Sequence, residues 1–168
     1  DDAKKIRDYK VHNEVVTLTN EAASDGKTNI VVAEPKISNI SLTGVTLAIA
    51  GELEAAGYDG KVESLLFRDF RINDIPVDVA ELNEPFTIKK EGKTSLPVPA
   101  SVFLSTTNLV TTAWNEIVEA KEYWTVTGRV FVFGKFRRFG FNFKRVVPVD
   151  VRLTVKNPLA QYRKSILS

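Results

Sequence analysis

Short apolar runs separated by turn residues dominate the pattern of this chain. The segments KVHNEVVTL at 10–18 and TNIVVAEP at 28–35 are rich in β-branched residues and end at polar residues or proline. The longest regular stretch, KISNISLTGVTLAIAGELEAA at 36–56, places apolar residues mostly two apart and slips at Thr43-Gly44. A spacing of two predicts a half-buried strand, and a glycine inside such a pattern predicts a bulge or bend.

The segment KVESLLFRDFRIND at 61–74 alternates only in part, because Leu65 and Phe67 add apolar side chains to its second face. A strand that is buried on both faces, or a bulged strand, has this pattern. Later apolar runs contain Pro76 and Pro97, and proline cannot donate a hydrogen bond to a strand ladder. Those runs are therefore predicted to be edge strands or strand starts.

One segment, TTNLVTTAWNEIVEA at 106–120, departs from the strand pattern. Its apolar residues recur three and four positions apart, which predicts an amphipathic helix, and Ser105 or Thr106 is suited to cap it. We expect Leu109 and Trp114 to pack this helix onto the ends of the sheets.

The strand pattern then returns in EYWTVTGRVFVF at 122–133, KFRRFGFNFKRVV at 135–147 and PVDVRLTV at 148–155. The first two runs flank Gly134-Lys135, which predicts a β-hairpin that turns there. The whole chain then has roughly eight to ten short strands with turn signals every ~8–12 residues. This cadence predicts a mostly β fold, an antiparallel sandwich or barrel with one helix.

The composition fits a single domain without covalent cross-links. The chain has 168 residues and no cysteine, which excludes disulfides, thiolate nucleophiles and cysteine-ligated zinc. Charge is divided along the chain, because residues 121–168 carry 11 Lys/Arg and 2 Asp/Glu whereas residues 1–120 carry 12 and 19. This unequal distribution of charge between the two segments suggests an oriented electrostatic surface. We expect antiparallel strands to mix the halves and to cancel most of that field.

The chain also contains no methionine, so Asp1 is not a natural translation start. A processed or trimmed product is expected, with a signal peptide or membrane anchor as the usual segment removed. An extracytoplasmic location is therefore favoured over a cytoplasmic one.

No residue set is suited to catalysis, cofactor binding or metal binding. His12 is the only histidine, so a three-histidine metal site is impossible, and we expect His12 to be a surface residue. The acidic group of Asp69, Asp74, Asp78 and Glu81 does not have the spacing of a calcium loop and is expected to be a solvated edge. Glycine-rich phosphate-binding motifs are absent. The chain is therefore expected not to be an enzyme and to need no cofactor.

The candidate binding residues are a cluster of cations: Lys135, Arg137, Arg138, Lys144 and Arg145. They alternate with Phe136, Phe139, Phe141 and Phe143. Cations interleaved with aromatics bind single-stranded nucleic acid or an anionic membrane. Strand alternation instead predicts that the phenylalanines belong to the core and that the cations form its outer face. On that interpretation, association with either partner is weak.

The order of elements from about residue 35 to 147 resembles the type-2 late-embryogenesis-abundant proteins, which carry the WHy (water stress and hypersensitive response) domain. The matching segments are ISNISLTGVTLAIAGEL, SLLFRDFRINDIPV, SLPVPASVF, TTNLVTTAWNEIV and YWTVTGRVFVFGKFRRFGFNF, with Thr127-Gly128 as the most family-like step. One departure is that the family's Asn-Pro after the first long strand is replaced by ELEAAGYDG, while Asn157-Pro158 follows the last strand.

The resemblance implies an immunoglobulin-like or fibronectin-III-like β-sandwich over residues 35–155, after an N-terminal extension at 1–34 and before a polar basic tail at 156–168. It also implies a non-catalytic module with a stress-protective or structural role beside a membrane. The alternatives are a lipid or apolar-ligand domain with a slot between the sheets, and nucleic-acid or anionic-membrane binding through the hairpin at 135–145. The sequence does not identify a partner; a lipid and another protein are the candidates, and nucleic acid is disfavoured.

Overall fold

The computed structural model describes residues 5–21, 27–107, 115 and 122–159. Strand dominates these residues, which confirms the prediction of a mostly β fold. The described strands are β1 (Lys5–Ile6), β2 (Tyr9–Val11), β3 (Val16–Thr19), β4 (Lys27–Val32), β5 (Lys36–Ile40), β6 (Gly44–Ile49), β7 (Gly51–Leu53), β8 (Asp59–Ile72), β9 (Ile75–Pro76), β10 (Asp78–Val79), β11 (Phe86–Ile88), β12 (Thr94–Ser95), β13 (Ala100–Ser105), β14 (Tyr123–Arg138) and β15 (Phe141–Lys156).

The described strands form two sheets. The larger has the order β11-β8-β14-β15-β3-β4-β7-β12, with β1, β2 and β9 attached beside this path. The smaller has the order β10-β13-β6-β5. Most neighbours are antiparallel, but β2 and β3 are parallel to β15, and β4 is parallel to β3. The purely antiparallel prediction is wrong here because β2 and β3 follow one another along the same edge of β15 without a chain reversal.

The two sheets are joined along one side. Three segments cross from one sheet to the other, namely β4 to β5, β6 to β7 and β12 to β13. The crossing strands are neighbours in both sheets, so the sheets curl around a common interior. Pro35 separates β4 from β5, and a single residue, Ala50, separates β6 from β7.

The stretch 36–56 contains a chain reversal where the sequence predicts a bulge or bend within a strand. Residues 41–43 connect β5 to β6, and the Ser41 N–H donates to the Gly44 carbonyl over 2.9 Å. Leu42 lies in this connection and is 99% exposed. Because Leu42 is apolar, the spacing of two continues through the turn. The hydrophobic pattern therefore does not reveal that the chain reverses here.

The incomplete alternation of residues 61–74 results from bulges, which is one of the two predicted explanations. The register between β8 and β14 shifts between Thr127 and Arg129 and again between Phe133 and Gly134. At the first shift Asp69 has a φ of 54°. Each extra residue in β8 changes which side chains face inward.

The long hairpin exists, but its turn lies further along the chain than predicted. β14 continues through Gly134 and Lys135, and the reversal occurs at Phe139-Gly140, where φ is 52° and 79°. Two consecutive positive φ values fit a two-residue type I′ turn. Gly134 is instead a strand residue. Glycine is required at this position because a Cβ would lie 2.5 Å from the carbonyl oxygen of Lys61.

The core lies between the two sheets. Leu47 and Leu104 of the smaller sheet and Trp124 and Ile72 of the larger sheet are each at most 1% exposed and belong to one cluster. Residues 157–159, at the start of the predicted polar tail, are also buried. The Asn157 side chain holds them in place by accepting a hydrogen bond from the N–H of Leu159 over 2.8 Å.

The predicted helix at 106–120 falls mainly outside the described residues, and so do Leu109 and Trp114. Asn115 has helical backbone, whereas Thr106 and Thr107 do not. The helix therefore stays a prediction.

Candidate functional site

An apolar cavity lies between the two sheets. Its volume is about 200 Å³, and it is open to solvent over part of its boundary. Within the described ranges, no charged residue lines it. The wall is built mainly of β-branched and aromatic residues from both sheets, among them Val32, Val102, Val130, Phe136 and Val149.

The size of the cavity restricts what it can hold. Pockets for drug-sized ligands begin at roughly 300 Å³, whereas an apolar cavity of roughly 150 Å³ accepts a benzene ring. The observed volume lies between these values. It suits a single alkyl chain or a small ring system.

Leaving this space empty is costly. Closed mutational cavities destabilise proteins by about 24 cal/mol per Å³, so a closed cavity of 200 Å³ would cost about 5 kcal/mol, and the open boundary makes this an upper limit here. Whole domains are stable by only about 5–15 kcal/mol. Fold stability alone would favour larger side chains at positions such as Val130 or Val149.

Polar groups near the cavity are few. Tyr58 lines it, and its ring makes an edge contact with His12 at a centroid distance of 6.3 Å. The His12 Nε2 is buried and has no hydrogen-bond partner among the described residues. His12 as a whole is half-buried, so the predicted surface position holds only in part: the chain after β2 continues along β15, where the His12 N–H donates to the Val146 carbonyl over 2.9 Å, and the imidazole lies against Tyr58.

The distal end of the β14–β15 hairpin exposes aromatic rings that the sequence predicts to be core. Phe139, Phe141 and Phe143 are 85%, 68% and 38% exposed, and only Phe136 is buried. The prediction is wrong for these three rings because the strands extend past the end of the cavity. Phe143 pairs with Phe136, which lines the cavity, but Phe141 and Phe139 lie further out at the turn.

The opposite face of the hairpin carries a row of lysines. Lys61 of β8 is in register with Lys135 of β14, which is in register with Lys144 of β15. Like charges directly opposite one another on a sheet are destabilising. None of the three has a carboxylate within ion-pair distance among the described residues. The Lys144 ammonium instead lies 4.5 Å from the centroid of the Tyr9 ring.

The remaining predicted cations do not all join this row. Arg137 is two residues beyond Lys135 on the same face, in register with Asp59 and Asn142. Arg145 lies on the opposite face, and its guanidinium is 5.4 Å from the centroid of Phe143. Arg138 is in register with Phe141 next to the turn. The predicted cations therefore do not form one flat patch, because Lys135, Arg137 and Lys144 share one face of the hairpin and Arg145 lies on the other.

Tyr9 anchors the N-terminal strands to the base of the hairpin. Its hydroxyl donates to the Glu63 carboxylate, and its ring packs edge-on against Phe133 at 5.1 Å. The hydrogen bond to Glu63, followed by burial and the charge of Glu63, raises the pKa of Tyr9 from 10.0 to about 12. A neutral Tyr9 is thus part of the folded structure around the lysine row.

The acidic group forms no metal site in the described ranges, where no cluster of three or more potential ligands is found. Glu81 accepts a hydrogen bond from Asn83 and forms an ion pair with Arg7. These interactions, the Asn83 hydrogen bond foremost, lower the pKa of Glu81. Within the described residues, no helix has the length and apolar character to cross a membrane.

Sequence reasoning missed two components of this region. Lys61 lies about 75 residues before Lys135 and joins the lysine row only through strand pairing. The exposure of Phe139 has a local signal, because a two-residue turn needs glycine at such a position and Gly140 directly follows it.

Comparisons with known proteins give a structural likeness but no family. No family model and no curated protein matches the chain. The chain is similar to a solved structure described as "Crystal structure of protein from Archaeoglobus fulgidus", with a TM-score of 0.38 and 16% sequence identity. The match covers 75% of this chain and 96% of that one.

Proposed function

We propose that the protein is a binding module for a lipid-like ligand, whose apolar chain occupies the cavity between the two sheets. The observation that carries this proposal is a cavity of about 200 Å³ with no charged residue in its described lining. Such a cavity can exclude water and accept hydrocarbon, because each buried methylene contributes about 0.8 kcal/mol.

The surroundings favour a ligand with an anionic head group. Ile88 lines the cavity, and Lys89 and Lys90 follow it directly in the chain. The Lys89 carbonyl accepts a hydrogen bond from the N–H of Ala56, another lining residue, over 3.4 Å. The backbone of Lys89 therefore lies beside the cavity, and we infer that the ammonium groups of Lys89 and Lys90 bind a carboxylate or phosphate head group.

This proposal selects one of the alternatives that the sequence leaves open. The immunoglobulin-like or fibronectin-III-like class of sandwich, the WHy family and a stress-protective role stay predictions from the resemblance. A lipid-binding module beside a membrane is compatible with all three.

The test is calorimetric titration of the purified protein with decanoic acid below its micelle-forming concentration. We expect saturable binding in the wild type. Val32→Phe, which inserts a ring into the lining, is expected to weaken binding at least tenfold.

The matched control is Val31→Phe, which makes the same change one residue earlier in β4. Val31 is 55% exposed and does not line the cavity, since successive strand residues face opposite ways. It should bind like the wild type. Absence of saturable binding, or equal binding by a folded Val32→Phe protein, would refute the proposal.

A further inference from the structure

We propose that the end of the β14–β15 hairpin, defined here as the hairpin tip (residues 135–145), docks on membranes that contain anionic lipids. Phe139 and Phe141 would enter the interface, and the cations around them would contact the lipid head groups. The inference is independent of the cavity ligand, because it rests on exposed side chains that do not line the cavity.

The first argument is the exposure of large apolar rings at an outermost point of the fold. Phe139 is 85% exposed and Phe141 68% exposed, on either side of Gly140 in a tight turn. Aromatic rings that stand exposed beside cations are the composition of surfaces that lie in a membrane interface.

The second argument is that the turn residue is poorly chosen for stability. Phe139 adopts a φ of 52°, a conformation that is rare for bulky residues and common for asparagine and glycine. Asn-Gly at residues 139 and 140 would serve the same turn without strain and without an exposed ring. A residue whose side chain is unfavourable for its backbone conformation is a sign of a functional requirement.

The third argument is the charge at the same end of the hairpin as the rings. Lys61, Lys135 and Lys144 stand in one row, and Arg137 lies next to it. Within the described chain none of the four has a carboxylate in ion-pair distance. Asp59 is in register with Arg137 and accepts a hydrogen bond from the Lys90 N–H over 2.8 Å, so its charge offsets at most one of these four cations. An anionic membrane surface attracts such unneutralised cations.

A membrane fits this surface better than nucleic acid or a second copy of the chain does. Single-stranded nucleic acid is usually held in a groove that follows its backbone, with bases stacked on aromatic platforms. The hairpin tip is a projecting turn in which Arg145 already lies over the ring of Phe143. Two identical tips would repel each other through their cations.

The test is co-sedimentation with vesicles of phosphatidylcholine alone and of phosphatidylcholine and phosphatidylserine in a three-to-one ratio. We expect binding to the anionic vesicles that falls steeply between low and high salt, because screening shortens the reach of charge. Phe139→Asn should weaken binding at least fivefold, and Lys135→Glu with Lys144→Glu at least tenfold, both in proteins with unchanged circular dichroism.

Two controls match these changes elsewhere on the surface. Leu42→Asn removes a 99% exposed apolar side chain from another turn, and Lys36→Glu with Lys156→Glu reverses two exposed lysines outside the tip. Both should bind like the wild type. Equal binding to neutral and anionic vesicles, or losses as large in the controls, would overturn the proposal. Tighter binding of single-stranded DNA through the same residues would overturn it in favour of nucleic acid.

A second measurement follows the ring itself. Phe139→Trp should give a fluorescence component that shifts to the blue on anionic vesicles and is quenched by lipids brominated on their acyl chains, relative to the parent protein. No additional quenching would mean that the tip does not enter the bilayer. Decanoic acid binding by Phe139→Asn should remain at the wild-type level, so failure of the cavity proposal and failure of this one are distinguishable.

Discussion

The residue type at some positions is determined by close contacts that the hydrophobic pattern does not predict. Gly128 is the sharpest case, since a Cβ at this position would lie 2.4 Å from Cδ1 of the Phe70 ring. Phe70 is buried at the bulge between β8 and β14 and lines the cavity. Only the absence of a side chain at Gly128 lets this ring lie flat against the strand.

Gly128→Ala should therefore destabilise the protein by about 1–3 kcal/mol, the usual cost of overpacking. The measurement is denaturant unfolding of the wild type and variant. In a Phe70→Leu background, which frees space over the strand, the cost of Gly128→Ala should fall. An equal cost in both backgrounds would mean that the two residues are not coupled.

The hydrogen bond from Tyr9 to Glu63 makes stability depend on pH in the alkaline range. The folded-state pKa of Tyr9 is raised from 10.0 to about 12, so the neutral phenol is favoured by folding. This contribution is complete below pH 10 and is lost as the pH rises from about 10 to about 12. Unfolding free energies measured across this window should fall more steeply for the wild type than for Tyr9→Phe. Parallel curves would show that the hydrogen bond is not maintained in solution.

At the scale of elements, the long hairpin organises the molecule. β14 and β15 pair over 16 residues each, β8 pairs with β14, and β2 and β3 add to the other edge of β15. The hairpin thereby contributes to one wall of the cavity and also extends to the hairpin tip. At its turn, fold stability favours asparagine at residue 139, whereas the proposed docking function favours the phenylalanine that is there.

Phe139→Asn should raise the stability of the fold by about 1 kcal/mol, because it removes a bulky residue from a left-handed conformation. Thermal unfolding of the variant and wild type checks this. Phe141→Asn is the matched control, since Phe141 is a strand residue and gains no such relief. A lower melting temperature for Phe139→Asn would indicate that the ring stabilises the fold instead.

At the scale of the whole molecule, the unfilled interior is the main feature. Two sheets joined along one side curl around a cavity of about 200 Å³, and the fold is less stable than a filled one would be. A ligand that binds only the native state offsets this deficit by mass action.

Decanoic acid at about one hundred times its dissociation constant should stabilise the protein by about 2.7 kcal/mol. Differential scanning calorimetry should show a higher melting temperature with ligand for the wild type and for Val31→Phe, and a smaller shift for Val32→Phe. Val32→Phe should also be at least as stable as the wild type without ligand, because the ring fills empty space. Equal shifts in all three proteins would place the ligand outside the cavity.

The sequence by itself determined the β class and many of the strand segments. Period-two alternation in 28–35, 36–49 and 122–155 reflects faces that must be buried, and this requirement is local enough to be seen without a structure. The cations of the hairpin tip were also identified from the sequence. The partial alternation of residues 61–74 correctly indicated a possible bulge.

Only the tertiary structure decided which apolar faces are covered. Phe136 and Phe141 belong to one predicted strand run, 135–147, yet the turn at Phe139-Gly140 places them on different strands, and one lines the cavity whereas the other is exposed. The lysine row needs Lys61 beside Lys135, a pairing set by a register across two bulges. The volume of the cavity is the volume that the two sheets enclose minus the volume of the side chains inside it. Periodicity determines the direction of a side chain, and only the packing of distant segments determines what that side chain meets.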